Sequence, residues 1–323
     1  MNNTPLLNRK KSVILEPKAP YNFDANCHKP SHFPSSDNLW EKGMYWITMV
    51  WKGEKLGLRF ENMGGIDKPK IKLNIYSEKG LSKEFIDVLA TEIKHRFNFG
   101  QDISGFCENF KEDKIMGPII KKWNGMKPIA ANSLYETLVI YFVLQNATVR
   151  RSVQMLENLF DKFGKKVKFD GKVLSTFWNP KEMAKSTEQE LRDLKLGYRA
   201  KFFMKLTEQF VNGEIDEFEL RKLSKEEVKE KALELYGIGP ASVEYLLFED
   251  FYFVDSLETI PPWEQKIFSR LLFDKELVPT DKILNFFKKF KGWEKLAFHY
   301  IWEDLFWKRK HEHIEWLEKE IRL

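Results

Sequence analysis

Cysteine is scarce in this chain. Its 323 residues hold two, Cys27 and Cys107, far apart in sequence. That excludes a disulfide framework and a cysteine-built metal centre, and it fits an intracellular, reducing setting. Histidine is rare too, with six in all. His28 and His32 stand four apart, but Pro30 and Pro34 lie among them and further ligands are missing, so no helical metal pair is expected. No apolar run reaches the roughly 18 residues needed to cross a membrane, and the opening MNNTPLLNRKK carries no apolar signal core. Internal repeats and low-complexity tracts are also missing. The charge excess is small: 53 Lys and Arg against 48 Asp and Glu, formally +5, with a sequence pI near 8.8. Such a balance permits nucleic-acid binding without demanding it.

Aromatic residues are abundant, at 15% with 27 Phe and 10 Trp, and the hydrophobic share of 43% suffices for a sizeable core. The length allows two domains or three modest lobes. After a polar, proline-containing opening with one short strand at Ser12–Leu15, three stretches favour strands. They are Tyr45–Trp51, Lys55–Phe60 and Lys70–Tyr76. The last two alternate polar and apolar residues, the mark of half-buried antiparallel strands. Ser82 caps an amphipathic helix running to Phe97. Beyond residue 100 the pattern is helical, over 104–123 and over Ser133–Gly164. The polar turn Gln145-Asn146-Ala147-Thr148 breaks the second of these. Helical segments also cover Leu206–Val211, Thr280–Phe290 and Gly292–Trp307, and the tail Lys308–Leu323 is charged. The expected class is α+β. A small N-terminal antiparallel sheet domain spans 1–100. An all-helical domain spans 101–323, with 132–250 as one lobe and 101–131 plus 251–323 as the other.

The most informative stretch is Leu233 to Arg270. Lys225 to Leu235 favours helix, Gly237 and Gly239 bracket Ile238, and Pro240 sits where a first helical residue would. Ala241 to Phe248 then resumes a helical pattern. A Gly-x-Gly turn that opens a helix leaves backbone N–H groups free at the positive end of the helix dipole, which suits a phosphate. On the glycines alone, a helical hairpin whose glycines only permit close packing is an equal reading.

The run Leu235-Tyr236-Gly237-Ile238-Gly239, the helix after it, and the helix from Pro261 to Phe273 together resemble the helix-hairpin-helix DNA glycosylase superfamily. Leu196-Gly197-Tyr198-Arg199-Ala200 resembles its 8-oxoguanine branch, and His299-Tyr300-Ile301-Trp302 the late helix of its 3-methyladenine II branch. The resemblance implies a base-excision enzyme that flips a damaged base out of double-stranded DNA and hydrolyses its N-glycosidic bond, acting as a monomer without a required cofactor. It implies a phosphate grip at Gly237, Ile238, Gly239 and Ala241. Gln145 and Asn146 would fill the gap left by the extruded nucleotide, with Arg150, Arg151 and Arg199 as backbone contacts. Trp263 and Phe142 would be walls of the base pocket. In some relatives the hairpin carbonyls hold a monovalent cation, and by position these are Leu233, Leu235 and Ile238.

Two positions depart from the superfamily pattern. Ala241 stands where a Schiff-base Lys stands in lyase-competent members, so a monofunctional reaction is expected. Pro261 stands where the essential Asp belongs. The nearest acids are Glu258, Asp255 and Glu264. Glu258 ranks first and Asp255 second as a replacement reaching the sugar, while Glu264 falls within the first helical turn, where the dipole favours an acid in any case. A glycosylase-derived protein that binds damaged DNA without cleaving it, and a helical protein-interaction scaffold, are the rival readings.

Overall fold

The computed structural model describes residues 4–32 and 34–320. The first three residues of the polar opening and the last three of the charged tail lie outside it. Strands β1 (Arg9–Leu15), β2 (Asn38–Glu41), β3 (Met44–Trp51), β4 (Glu54–Asn62) and β5 (Ile71–Ser77) form one antiparallel sheet in the order β1-β5-β4-β3-β2. Helix α1 (Phe23–Cys27) precedes β2. Alternation sets the faces: Leu56, Leu58 and Phe60 point into the core, and so do Ile71, Leu73 and Ile75. Lys52 and Gly53 both take positive φ, the geometry of a tight two-residue hairpin turn. Helix α2 (Lys83–Arg96), capped by Ser82 as expected, lays Leu89 and Ile93 on the sheet.

The rest is mostly helical. In chain order follow α3 (Ser104–Phe110), α4 (Met116–Trp123), α5 (Leu134–Leu144) and α6 (Val149–Phe163). After them come α7 (Pro180–Met183), α8 (Glu188–Leu191), α9 (Arg199–Val211), α10 (Glu217–Leu220), α11 (Lys225–Leu233) and α12 (Pro240–Glu249). The series closes with α13 (Pro262–Phe273), α14 (Thr280–Phe287), α15 (Glu294–His311) and α16 (Glu315–Glu320). None of the helices is long and apolar enough to cross a membrane, among the described residues. Cys27 and Cys107 are both free and buried.

Two expectations need correction. Residues 104–123 form two helices, because the polar run 111–114 turns the chain between them. The span 101–323 is not all-helical either, since Lys165–Phe169 (β6) and Lys172–Thr176 (β7) pair as an antiparallel hairpin. Asp170-Gly171 supplies the positive φ at both turn positions. Val167, Phe169 and Leu174 bury against Trp46 and Tyr76, and Asp170 accepts hydrogen bonds from Trp46 Nε1, Tyr76 O–H and Arg59. The hairpin therefore belongs to the sheet's side of the molecule.

The helices enclose two separate apolar cores. The first gathers Leu138, Phe142, Met155, Leu159, Phe203, Leu246 and Leu247 from α5, α6, α9 and α12. The second gathers Phe106, Met116, Phe248, Phe268, Phe287 and Tyr300 from α3, α4, the end of α12, α13, α14 and α15. Helix α12 contributes to both, so its polar residues fall at the boundary between them.

Candidate functional site

Helix α11 starts with a reciprocal Ser224–Glu227 capping box and ends at Leu233. Leu235 and Ile238, 4% and 7% exposed, anchor the following turn in the first core. Gly237 takes φ +84°, which favours glycine, and a Cβ there would press on the rings of Phe202 and Phe142 at 3.0–3.2 Å. Gly239 differs. Its φ is −109° and open space surrounds the place of its Cβ. It caps α12 with no side chain, Pro240 is the first helical residue, and the Val243 N–H closes the first turn on the Gly239 carbonyl at 3.0 Å. The amides of Gly239, Ala241 and Ser242 have no acceptor among the described residues. This is an open helix start of the kind that binds anions. Of the three carbonyls expected to hold a cation, that of Leu235 accepts the Ile238 N–H at 3.1 Å, while those of Leu233 and Ile238 meet no backbone donor among the described residues.

The polar turn sits beside this hairpin. Helix α5 opens with a Ser133–Glu136 capping box and stops at Gln145, whose Nε2 donates to the Gly237 carbonyl at 2.9 Å. Asn146 is exposed, takes φ +47°, and its Nδ2 lies 3.4 Å from the Tyr198 hydroxyl. Thr148 caps α6, and Arg150 in the first turn is exposed and unpaired among the described residues. Arg151 donates to the Lys195 carbonyl at 2.5 Å.

Two expected site residues have other work. Arg199 is 7% exposed and turns inward: its Nε donates to the Phe142 carbonyl at 2.9 Å and its Nη2 to the Gln145 carbonyl. A guanidinium there caps the last carbonyls of α5 and faces the protein rather than solvent. Phe142 is fully buried against Phe202 and Phe203 in the first core and walls no open pocket. Trp263, by contrast, is 47% exposed, edge-on to Trp302 at 5.1 Å. Tyr198 and Tyr236, 46% and 37% exposed, stand with Phe202 between them and form an aromatic track beside Gly237 that the sequence reading passed over. Their adjacency to Gly197 and Gly237 was the available signal.

The acids divide sharply. Glu258 and Asp255 lie on the loop before α13 and form exposed ion pairs with Lys229 and Lys225 of α11, the second at 2.9 Å. Asp255 also edges a surface hollow of about 460 Å³ shared with Asp281, Lys288 and Glu294. Glu264 is different in kind. At 1% exposed it enters the boundary between the two cores, where the Tyr245 hydroxyl donates to its Oε1. Burial pushes its carboxyl pKa upward, while Lys295 and the Tyr245 hydrogen bond pull it back, with a net rise. Glu244, 3% exposed, is likewise raised by burial and opposed by Lys295. Lys295 is 3% exposed. Its Nζ stands 4.7 Å from the centre of the Tyr245 ring and 4.8 Å from that of Phe298, with no hydrogen-bond or ion-pair partner among the described residues. His299, one turn on, is buried and held in the neutral form by that burial, and nearby Lys29 and Lys295 push the same way. Among the described residues no group of three or more His, Cys, Asp or Glu is arranged to hold a metal ion.

No family model matches the chain. In sequence it is 22% identical over 217 residues to the DNA-3-methyladenine glycosylase of Bacillus subtilis (strain 168), covering 65% of this chain and 70% of that protein. In structure it resembles the 3-methyladenine DNA glycosylase of Archaeoglobus fulgidus, with a TM-score of 0.71 at 14% identity over 94% of this chain and 100% of that one. It also resembles the Clostridium acetobutylicum 8-oxoguanine glycosylase/lyase bound to double-stranded DNA with cytosine opposite 8-oxoguanine. That match has a TM-score of 0.67 at 17% identity, over 94% of this chain and 98% of that one. In fold, with the hairpin Leu235–Gly239 in place, the chain is similar to DNA glycosylases of the 8-oxoguanine and 3-methyladenine kinds.

Proposed function

We propose that this protein is a base-excision DNA glycosylase of the monofunctional kind. The observation that carries the reading is the open start of α12, where three free amides surround an unobstructed Gly239 and Gln145 ties the neighbouring polar turn to the same hairpin. A duplex strand gripped there through one phosphate brings its bases to the turn. Asn146, held outward by its left-handed backbone, and the exposed ring of Tyr198 then occupy the space of an extruded nucleotide. Arg150 adds a salt-sensitive backbone contact. Ala241 offers no amine, so water rather than lysine attacks the sugar, and strand cleavage without alkali is not expected. A monovalent cation held by the carbonyls of Leu233, Leu235 and Ile238 would stiffen the hairpin. The two unengaged carbonyls fit such an ion in donor chemistry.

Pro261 favours one competing reading, in which the protein holds damaged DNA and cuts nothing. The deciding experiment uses the purified full chain on duplexes carrying single oxidised, alkylated or deaminated bases, sampled with and without alkali. Base release that becomes a strand break only after alkali supports the proposal. Tight binding to an abasic-site duplex with no release from any of them supports the rival.

A further inference from the structure

Resting on that glycosylase reading, we propose that Glu264, rather than either loop acid, is the catalytic carboxylate, with Tyr245 and Lys295 as its positioning residues. Pro261 is the N-cap of α13. A Glu three residues after a helix cap ordinarily turns back to the cap's own N–H, as Glu136, Glu182, Glu190 and Glu227 do here. Pro261 has no N–H to offer. Glu264 turns instead into the boundary between the cores. Tyr245 fixes one of its oxygens. Its other oxygen and the Nζ of Lys295 have no hydrogen-bond partner among the described residues. A buried acid, an unpartnered buried ammonium and a tyrosine hydroxyl thus converge beside the exposed first turn of α13. Surface acids do not look like this: Glu258 and Asp255 spend their charge on lysines in open solvent.

The chemistry balances with water alone. The C1′–N bond of the extruded nucleotide breaks, and its electron pair leaves on the base nitrogen. The anionic Glu264 faces the positive charge that builds on the sugar. Water forms the new bond to C1′ and gives its proton to Glu264, and the base nitrogen takes a proton from solvent. The groups that set the charge state of Glu264 are Tyr245 of α12 and Lys295 of α15, against burial.

The test compares single-turnover base release by the wild type and by Glu264→Gln, Glu258→Gln and Asp255→Asn. Binding of each to a duplex with a tetrahydrofuran abasic analogue serves as the measure of folding. Glu264→Gln, nearly isosteric and still able to accept the Tyr245 hydroxyl, is expected to lose about a hundredfold or more in rate with binding kept. The two loop variants are expected to match the wild type. Tyr245→Phe supplies a readout that a merely structural role would not move. It removes a contact that lowers the Glu264 pKa, so the acid limb of the rate profile should shift to higher pH while the plateau survives. Full activity in Glu264→Gln, or a loss confined to Glu258→Gln, overturns the assignment and leaves the glycosylase reading standing. A wild type that binds the abasic duplex but releases no base overturns both.

Discussion

Gly239→Asp separates the stability of the hairpin from its grip on DNA. The backbone at 239 is already in the extended region used by helix caps, and nothing lies within 4 Å of the place of a Cβ. Asp therefore fits without strain. As a cap it accepts the free amides of Ala241 or Ser242, and replacing Gly by Asp at such a position changes stability by only a few tenths of a kcal/mol, in the favourable direction. The same carboxylate then stands where the phosphate should sit. Losing the helix-terminus contact costs roughly 0.3–2 kcal/mol. Repulsion between two charges about 4 Å apart adds roughly 1–4 kcal/mol between bulk water and the protein surface. The sum is about one to four orders of magnitude in affinity at 1.4 kcal/mol per decade. Fluorescence anisotropy on an abasic-analogue duplex, at two salt concentrations, measures this. Gly239→Asn, which caps without charge, is the companion and should lose much less. A Gly239→Asp protein that melts at or above the wild-type temperature yet binds within twofold would refute the phosphate grip outright.

Three further outcomes follow from the same geometry. Arg199→Met should act on stability, because it strips charge-assisted bonds from the end of α5, each worth about 1.5–3 kcal/mol. Its urea midpoint should fall while duplex affinity of the folded fraction stays near wild type, and the reverse pattern would restore Arg199 to the DNA interface. Arg150→Ala should leave the melting curve alone and flatten the slope of log affinity against log salt by about one. Glu92, on α2, is 6% exposed and receives hydrogen bonds from both Arg96 and Arg221, joining the sheet domain to the helical lobe. Burial alone would raise its pKa, but the two guanidinium groups outweigh burial and hold it at about 2. Its folded pKa is thus depressed, so its contribution is complete above the ordinary glutamate range and is lost as pH falls toward 2. Glu92→Gln should cost about 3–5 kcal/mol at neutral pH and remove part of the acid arm of the stability profile, as urea titrations between pH 2 and 6 would register.

Features of the sequence that work locally were legible. Alternation gave β4 and β5, and Ser82 and Gly237–Pro240 announced their caps and turns because each acts through its own neighbours in the chain. The β6–β7 hairpin is also local, with an Asp-Gly turn between alternating residues, but it is short and embedded in helical surroundings. Arg199 and Phe142 could not be judged in this way. Their fates depend on where α5 ends relative to α9, a long-range fact that leaves no trace at either position. The acids show the same limit more clearly. Glu258 and Glu264 are six residues apart and indistinguishable by type, yet one pairs with Lys229 in solvent and the other is enclosed by α12 and α15.

That contrast changes how the two departures from the superfamily pattern should be weighed. Taken singly, Pro261 reads as the loss of a catalytic acid and Ala241 as the loss of a lysine. In the fold they have separate consequences. Ala241 leaves the start of α12 small and its amides open, which suits a phosphate and removes one nucleophile. Pro261 withdraws the N–H that would have tied Glu264 to the cap, and so releases that carboxylate into the boundary between the cores. The Tyr245 hydroxyl donates to it there, and the charge of Lys295, over the Tyr245 ring, opposes its rise in pKa. A residue that cannot carry charge thereby determines where charge is placed. Restoring an acid at the cap should then not add to activity. In Pro261→Asp the new N–H would draw Glu264 back, and the double variant Pro261→Asp with Glu264→Gln should recover what Glu264→Gln alone loses. If the double variant stays as slow as Glu264→Gln, the two positions are not alternatives for one role, and the link drawn between them is wrong.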